Sequence, residues 1–442
     1  MLRIAPQHRE AAFSLAYMLR EQGRMQAAAE AVIGCLLARS DNADDTVAAL
    51  IFLRECGAHG RALPIAQTGV SRWPDNAEIA ALAGEFALAI GEFRYARQYL
   101  RATLELDAGK SASWLRLAYC QHFAHRNDAD FGRIERAWND CGFDPRSRMC
   151  AGFALAKALD DLCDYEHAAK VMREANAMAK ATLQGRDANW SEFLERRINE
   201  RPLPQMDVAG DFAPIFIVGL PRTGTTLTAT ILSRNHDVRD RGELNWIAAM
   251  YAHLLAQGKL HDRAALSAVA RFVTQQMRRD DTPARWYLDK NPLNFRYLDF
   301  IAALFPQAAI IHCRRNLRDT ALSLWSQHFA HEDLGFSYDF TDIAQFARGH
   351  DDLMAHWRAV LELPILDLEY EALATDPRSA IDNVTRALGM PEPSAEVDET
   401  SSPRMIATAS VWQARQPVYT SSIGRWKRYA AYVPELEALF RQ

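Results

Sequence analysis

Apolar residues in the first half of the chain fall at helical spacing and are interrupted on a fixed period. Gly23, Gly57 and Gly91 stand 34 residues apart, and five residues after each comes an alanine, Ala28, Ala62 or Ala96. Seventeen residues after each glycine stands Ser40, Pro74 or Ala108. The period predicts units of helix, glycine turn, helix and terminator, with a small side chain where the second helix must approach the first. A fourth unit is worn: Trp114, Leu117 and Ala118 fit its first helix, His125 takes the glycine place and Ala137 a later small position. The fifth, with Leu155, Ala156, Ala168 and Ala175, follows a four-residue insertion. Such pairs cannot bury their apolar faces alone, so the stack is expected to share one continuous core, with a helix over Trp190 to Asn199 closing it.

The pattern changes after residue 200. Arg201 to Pro214 is rich in Pro and lacks a sustained apolar period, which predicts a linker over 201–213 between a domain at 1–200 and another at 214–442. Short continuous apolar runs then appear near 215–218, 287–289, 308–313 and 365–368, as expected of parallel strands buried on both faces.

Composition narrows the function. Of 442 residues 49% are hydrophobic and 24% charged, enough to build buried cores. The net charge is −5, and both halves are mildly acidic, which argues against a nucleic-acid partner and requires any anion site to be built locally. No stretch approaches the ~20 apolar residues of a membrane span and the start lacks a signal-peptide core, so the expected location is cytoplasmic. Seven scattered cysteines without CxxC spacing predict reduced thiols, mostly in cores, and no zinc site.

The chemistry begins at Gly219-Leu220-Pro221-Arg222-Thr223-Gly224-Thr225-Thr226, which follows the run Ile215 to Val218 and precedes a helical stretch. Strand, glycine loop and helix present converging backbone N–H groups and about half a positive charge to a phosphate or sulfate. Thr225 stands where a nucleotide triphosphatase would carry its loop lysine, and Arg222 offers a planar fork to a terminal oxyanion instead. Further on, Arg315 ends the apolar run Ile310 to Cys313, and Ser323 lies two helical turns later, so both can face one anion.

Together these segments resemble a sulfotransferase domain, in the branch containing the tyrosylprotein sulfotransferases and bacterial proteins that join such a domain to tetratricopeptide repeats. The resemblance covers about Pro214 to Tyr432, and the repeat period of the first half resembles the tetratricopeptide unit. It implies an α-solenoid of tetratricopeptide-like repeats followed by a three-layer α/β, P-loop-like domain with a mainly parallel sheet. It also implies PAPS (3'-phosphoadenosine 5'-phosphosulfate) as cofactor. Arg222, Thr223, Gly224, Thr225 and Thr226 would hold its 5'-phosphosulfate, and Arg315 and Ser323 its 3'-phosphate. Tyr370 would lie near the nucleotide, and Ser410 and Arg425 in the C-terminal clamp over the cofactor.

Sulfuryl transfer requires removal of an acceptor proton, in-line attack on sulfur and neutralisation of charge on the departing phosphate, and in principle no metal. By resemblance Glu243 is the general base, Lys290 steadies the bridging oxygen, and Arg222 and Ser410 stabilise the transition state. The acceptor stays open among a peptide tyrosine, a carbohydrate and a small molecule, as does the use of the repeats for a peptide or protein partner, for scaffolding or for a homodimer. A P-loop kinase, with Asp367 as its strand-end metal ligand, and a non-catalytic repeat adaptor are the competing readings. Trp246, Trp325, Trp357 and Trp412 are candidates for an acceptor pocket or for core.

Overall fold

The glycine period marks real turns. The computed structural model describes residues 8–38, 42–183, 190–206, 212–279, 284–329, 332–390 and 420–440. Its first unit is helical: α1 (Arg9–Glu21), α2 (Met25–Ala38), α3 (Ala43–Glu55), α4 (His59–Arg72), α5 (Ala77–Ile90), α6 (Phe93–Leu106), α7 (Ser111–Tyr119), α8 (Ala129–Asn139), α9 (Pro145–Asp161) and α10 (Tyr165–Thr182). Gly23, Gly57 and Gly91 have φ of 75°, 70° and 89°, each reversing the chain between the two helices of a pair. Cys163 does the same between α9 and α10 at φ 61°, and Asp164 N donates to Leu159 O as Glu92 N donates to Ala87 O. A cysteine thus adopts a conformation that glycine takes without steric cost. The fourth pair departs from expectation, because α7 stops at Tyr119 and an irregular connection over 120–128 replaces the tight turn expected at His125. Ala28, Ala62, Ala96 and Ala168 are fully buried, which is why the period keeps them small.

The second unit begins at Leu183 and contains α11 (Trp190–Asn199), so this helix belongs to the second unit and not, as expected, to the helical one. The side chain of Arg197, wholly buried, is the reason. It pairs with Glu200 and Asp299, donates to Tyr251 Oη (2.7 Å) and lies 4.5 Å from the Tyr251 ring centroid. Leu203 and Phe212 are buried in the same core and Met206 N donates to Ala303 O (2.9 Å), so the expected linker packs against the second unit wherever it is described.

From there the chain alternates strand and helix: β1 (Ala213–Gly219), α12 (Thr225–Leu232), β2 (Val238–Asp240), α13 (Trp246–Ala256), α14 (Arg263–Arg278), β3 (Trp286–Asp289), α15 (Leu298–Leu304), β4 (Ala309–Arg314), α16 (Leu317–Trp325), α17 (Phe340–Val360), β5 (Ile365–Glu369), α18 (Tyr370–Thr375) and α19 (Pro377–Ala387). All pairings are parallel and the order is β2-β3-β1-β4-β5. Side chains alternate between two cores: Phe216, Val218, Tyr287 and Ile310 enter one, Ile215, Ile217, Leu288 and Ile311 the other. This two-sided burial explains the uninterrupted apolar runs. Among the described residues no helix is long and apolar enough to cross a membrane. All seven cysteines are free thiols; Cys141 and Cys163 are exposed rather than in a core.

Candidate active site

The strand order reverses at β1, which has β3 on one side and β4 on the other, and in open parallel sheets such a reversal opens a crevice beyond the carboxyl ends of the strands. The loop 219–224 lies there. Gly219 has φ 145°, and a Cβ on it would come within 2.4 Å of Cys313 O; Gly224 has φ 97°, and a Cβ would meet Tyr370 Cδ2 at 2.6 Å. Both positions therefore need glycine. Thr223 Oγ1 donates to Leu220 O (2.7 Å), closing the turn, and the N-cap of α12 is Gly224, which has no side chain to bond the first N–H groups of the helix.

Arg222 carries the loop's strain, with φ 75° on a residue that has a Cβ. Two neighbours hold it. Its Nε donates to Ser323 Oγ (3.0 Å), and its carbonyl accepts from Arg315 Nη1 (3.0 Å). Arg315 also donates through Nη2 to Ser422 O (2.8 Å) and lies 4.4 Å from the Tyr370 ring centroid, while Tyr370 Oη bonds Ser422 Oγ (2.6 Å). Among the described residues, the buried Arg315 Nε has no hydrogen-bond partner. Arg222, Arg315, Ser323 and Tyr370, predicted from well-separated segments, are thus brought into one cluster.

Across the crevice, Lys290 follows β3 and is buried, whereas Glu243 follows β2 and is 46% exposed at its side chain. Lys290 Nζ donates to Glu243 Oε1 at 2.6 Å. A buried cation thus faces a carboxylate that an incoming molecule can reach.

Sequence reasoning did not find the groups that lock the C-terminal segment. Asp319, 2% exposed on α16, accepts from Gly424 N (2.6 Å) and Trp426 N (2.9 Å), and the Arg318 guanidinium lies 4.6 Å from the Trp426 ring centroid. Asp319 reads in sequence as an ordinary first-turn carboxylate, and Ser422 as one of several serines. Arg425 lies in this segment with its guanidinium over the Tyr429 ring (5.4 Å). Ser410 and Trp412 lie outside the described residues. Trp325 and Trp357 are core, each 2% exposed, and Trp246 packs edge-on against Phe272. Asp367 is engaged by Arg358 Nη2 (2.6 Å) and His312 Nδ1 (2.8 Å), and the hydrogen bond from His312 holds its carboxyl below the usual range. Two cationic or donor partners leave it poorly suited to a metal, and among the described residues no cluster of His, Cys, Asp and Glu could hold one.

The sequence model of the Sulfotransferase family matches residues 214–394. This segment is a sulfotransferase-family domain. The chain is 29% identical over 332 residues to an uncharacterized protein of Aquifex aeolicus (strain VF5), covering 69% of this chain and 43% of that one. It is 25% identical over 203 residues to protein-tyrosine sulfotransferase 1 of Danio rerio, covering 41% of this chain and 54% of that one. The chain therefore spans about half the length of these relatives. Among solved structures, the sulfotransferase domain of the Synechococcus PCC 7002 olefin synthase aligns with 17% identity and a TM-score of 0.38, over 55% of this chain and 99% of that one. The loop, the Glu243–Lys290 pair, Arg315, Ser323 and Tyr370 all fall inside the matched segment; Ser422 and Arg425 lie beyond it.

Proposed function

We propose that the sulfotransferase domain transfers a sulfuryl group from PAPS to an acceptor hydroxyl, with Glu243 as general base. The observation that carries this reading is the Lys290–Glu243 pair at 2.6 Å, a buried ammonium and a reachable carboxylate at the mouth of an anion-holding crevice. The residues fit the cofactor. The glycine-only loop and uncapped α12 suit the 5'-phosphosulfate, and the buried, unpartnered Arg315 Nε is a charged donor that an anion such as the 3'-phosphate would satisfy. Thr223 to Thr226 and Arg222 would hold the first group, Arg315 and Ser323 the second, with Tyr370 beneath the Arg315 fork. Ser410 and Arg425 are assigned to the C-terminal clamp on resemblance.

PAPS supplies the sulfuryl group and a phosphate leaving group. Glu243 removes the acceptor proton, and for this the carboxylate must be released from Lys290. Lys290 would then offer its donors to the departing phosphate and Arg222 to the sulfuryl group, positioning and electrostatics supplying the rest. The helical unit is read as a tetratricopeptide-like array, and an acceptor peptide held on it is the partner this supports, alongside a scaffold or homodimer role. A peptide tyrosine, a carbohydrate or a small hydroxyl compound would suit the same base. The absence of a loop lysine and the engagement of Asp367 favour this reading over a kinase. A thermal shift with 3'-phosphoadenosine 5'-phosphate (PAP) but not with ATP and Mg2+ is expected, and the reverse pattern would refute it. Incubation with labelled PAPS and a lysate of the protein's own source identifies the acceptor.

A further inference from the structure

The Glu243–Lys290 pair is assembled from two loops, and a third group ties those loops together. Asp289 is the last residue of β3, between β2 and β1, and is 1% exposed. Its Oδ1 accepts from Leu244 N (3.2 Å), next to Glu243, and from Asn291 N (3.0 Å), next to Lys290. Its Oδ2 accepts from Asn294 Nδ2 (3.0 Å), so both oxygens are used internally. Asn291 reinforces the link, donating through Nδ2 to Leu244 O (3.0 Å), and Lys290 N donates to Gly242 O (2.9 Å). One carboxylate therefore grips the backbone on the C-terminal side of each member of the pair.

We propose that Asp289 is a positioning residue for sulfuryl transfer: through Leu244 N and Asn291 N it fixes the separation of Glu243 from Lys290, and it touches neither substrate nor cofactor. The inference rests on the assignment of Glu243 and Lys290 given above. β2 is three residues long and its backbone pairing with β3 ends at Arg241 N to Leu288 O (2.9 Å) and Lys290 N to Gly242 O (2.9 Å), so beyond Gly242 the links from Asp289 and Asn291 to Leu244 hold the loop bearing Glu243. Misplacing a reacting group by ~1 Å typically costs ~10²-fold in rate.

Asp289→Asn keeps an oxygen for both N–H groups, and the Asn294 amide can turn to meet the new NH2. Asp289→Ala removes the grip. With labelled PAPS at saturation and the source lysate as acceptor, the initial rate should fall ~10²-fold in Asp289→Ala and return to within about threefold of wild type in Asp289→Asn. PAP affinity by calorimetry should stay within about threefold in both, because the loop around Arg222 is held by other contacts. Asn291→Ala should also lower the rate while sparing PAP affinity, and this variant decides the matter if Asp289→Ala does not fold. A wild-type rate in Asp289→Ala or, where that variant does not fold, in Asn291→Ala overturns the inference. So does an Asn variant as slow as Ala, or a parallel loss of PAP affinity. A wild-type protein that labels nothing refutes the base assignment itself, and the positioning role with it.

Discussion

Replacing Arg315 by alanine tests how the crevice recognises its anion. The guanidinium reaches Arg222 O, Ser422 O and the face of Tyr370, and its buried Nε is left for a ligand. A hydrogen bond from a charged donor is worth ~1.5–3 kcal/mol, so loss of the bond to a 3'-phosphate should weaken PAP binding by about 10- to 150-fold. Calorimetry with PAP and with adenosine 5'-phosphate, at one ionic strength, separates this bond from collateral damage to the loop. Wild type should prefer PAP by at least that factor, and Arg315→Ala should lose most of the preference, keeping only what Ser323 supplies. Arg315→Lys should recover only part of the preference, because an ammonium cannot span two carbonyls and stack on a ring as the planar fork does. Unchanged PAP affinity, or an equal loss for both ligands, would refute the 3'-phosphate assignment.

Further outcomes follow from individual side chains. Cys163→Gly should raise the unfolding free energy of the helical unit by ~0.5–1 kcal/mol in urea, since it relieves a left-handed conformation on a residue with a Cβ. Arg197→Ala should destabilise the second unit by ~3–5 kcal/mol, because it strands Glu200 and Asp299 without their cation, and should lower the urea midpoint. Burial pushes the Asp289 carboxyl up to about 7, against three hydrogen bonds that pull it down. A raised carboxyl pKa favours the folded state at low pH, and that contribution is lost as pH climbs from ~4 through about 7, amounting to ~4 kcal/mol. Asp289→Asn should flatten this part of the stability profile; an unaltered profile would remove the assignment of the shift.

The sequence disclosed whatever depends on local rule. Gly23, Gly57 and Gly91 announce left-handed turns, and Ile215 to Val218 announces a strand buried on both faces. β2 escaped because Val238-Arg239-Asp240 is short and has one buried side chain, too little for any period. Helix α11 was legible as a helix and misplaced as to body, since amphipathicity reports that a face is covered without reporting by what; the burial of Arg197 against Tyr251 and Asp299 decides it. In the site, Glu243 and Lys290 are 47 residues apart and only their resemblance to a family linked them before the 2.6 Å contact was seen. Asp319 and Ser422 gave no signal, because their partners are brought near by tertiary folding alone: Gly424 N and Trp426 N for Asp319, the Arg315 guanidinium and the Tyr370 hydroxyl for Ser422; Asp289 showed only as the residue flanking Lys290.

The central claim is that Glu243 performs the proton abstraction and does little else. Its most direct test pairs the initial rate of label transfer from PAPS with PAP affinity in Glu243→Ala. The expected result is a rate loss of at least ~10²–10³ with PAP affinity unchanged; transfer at the wild-type rate would contradict it.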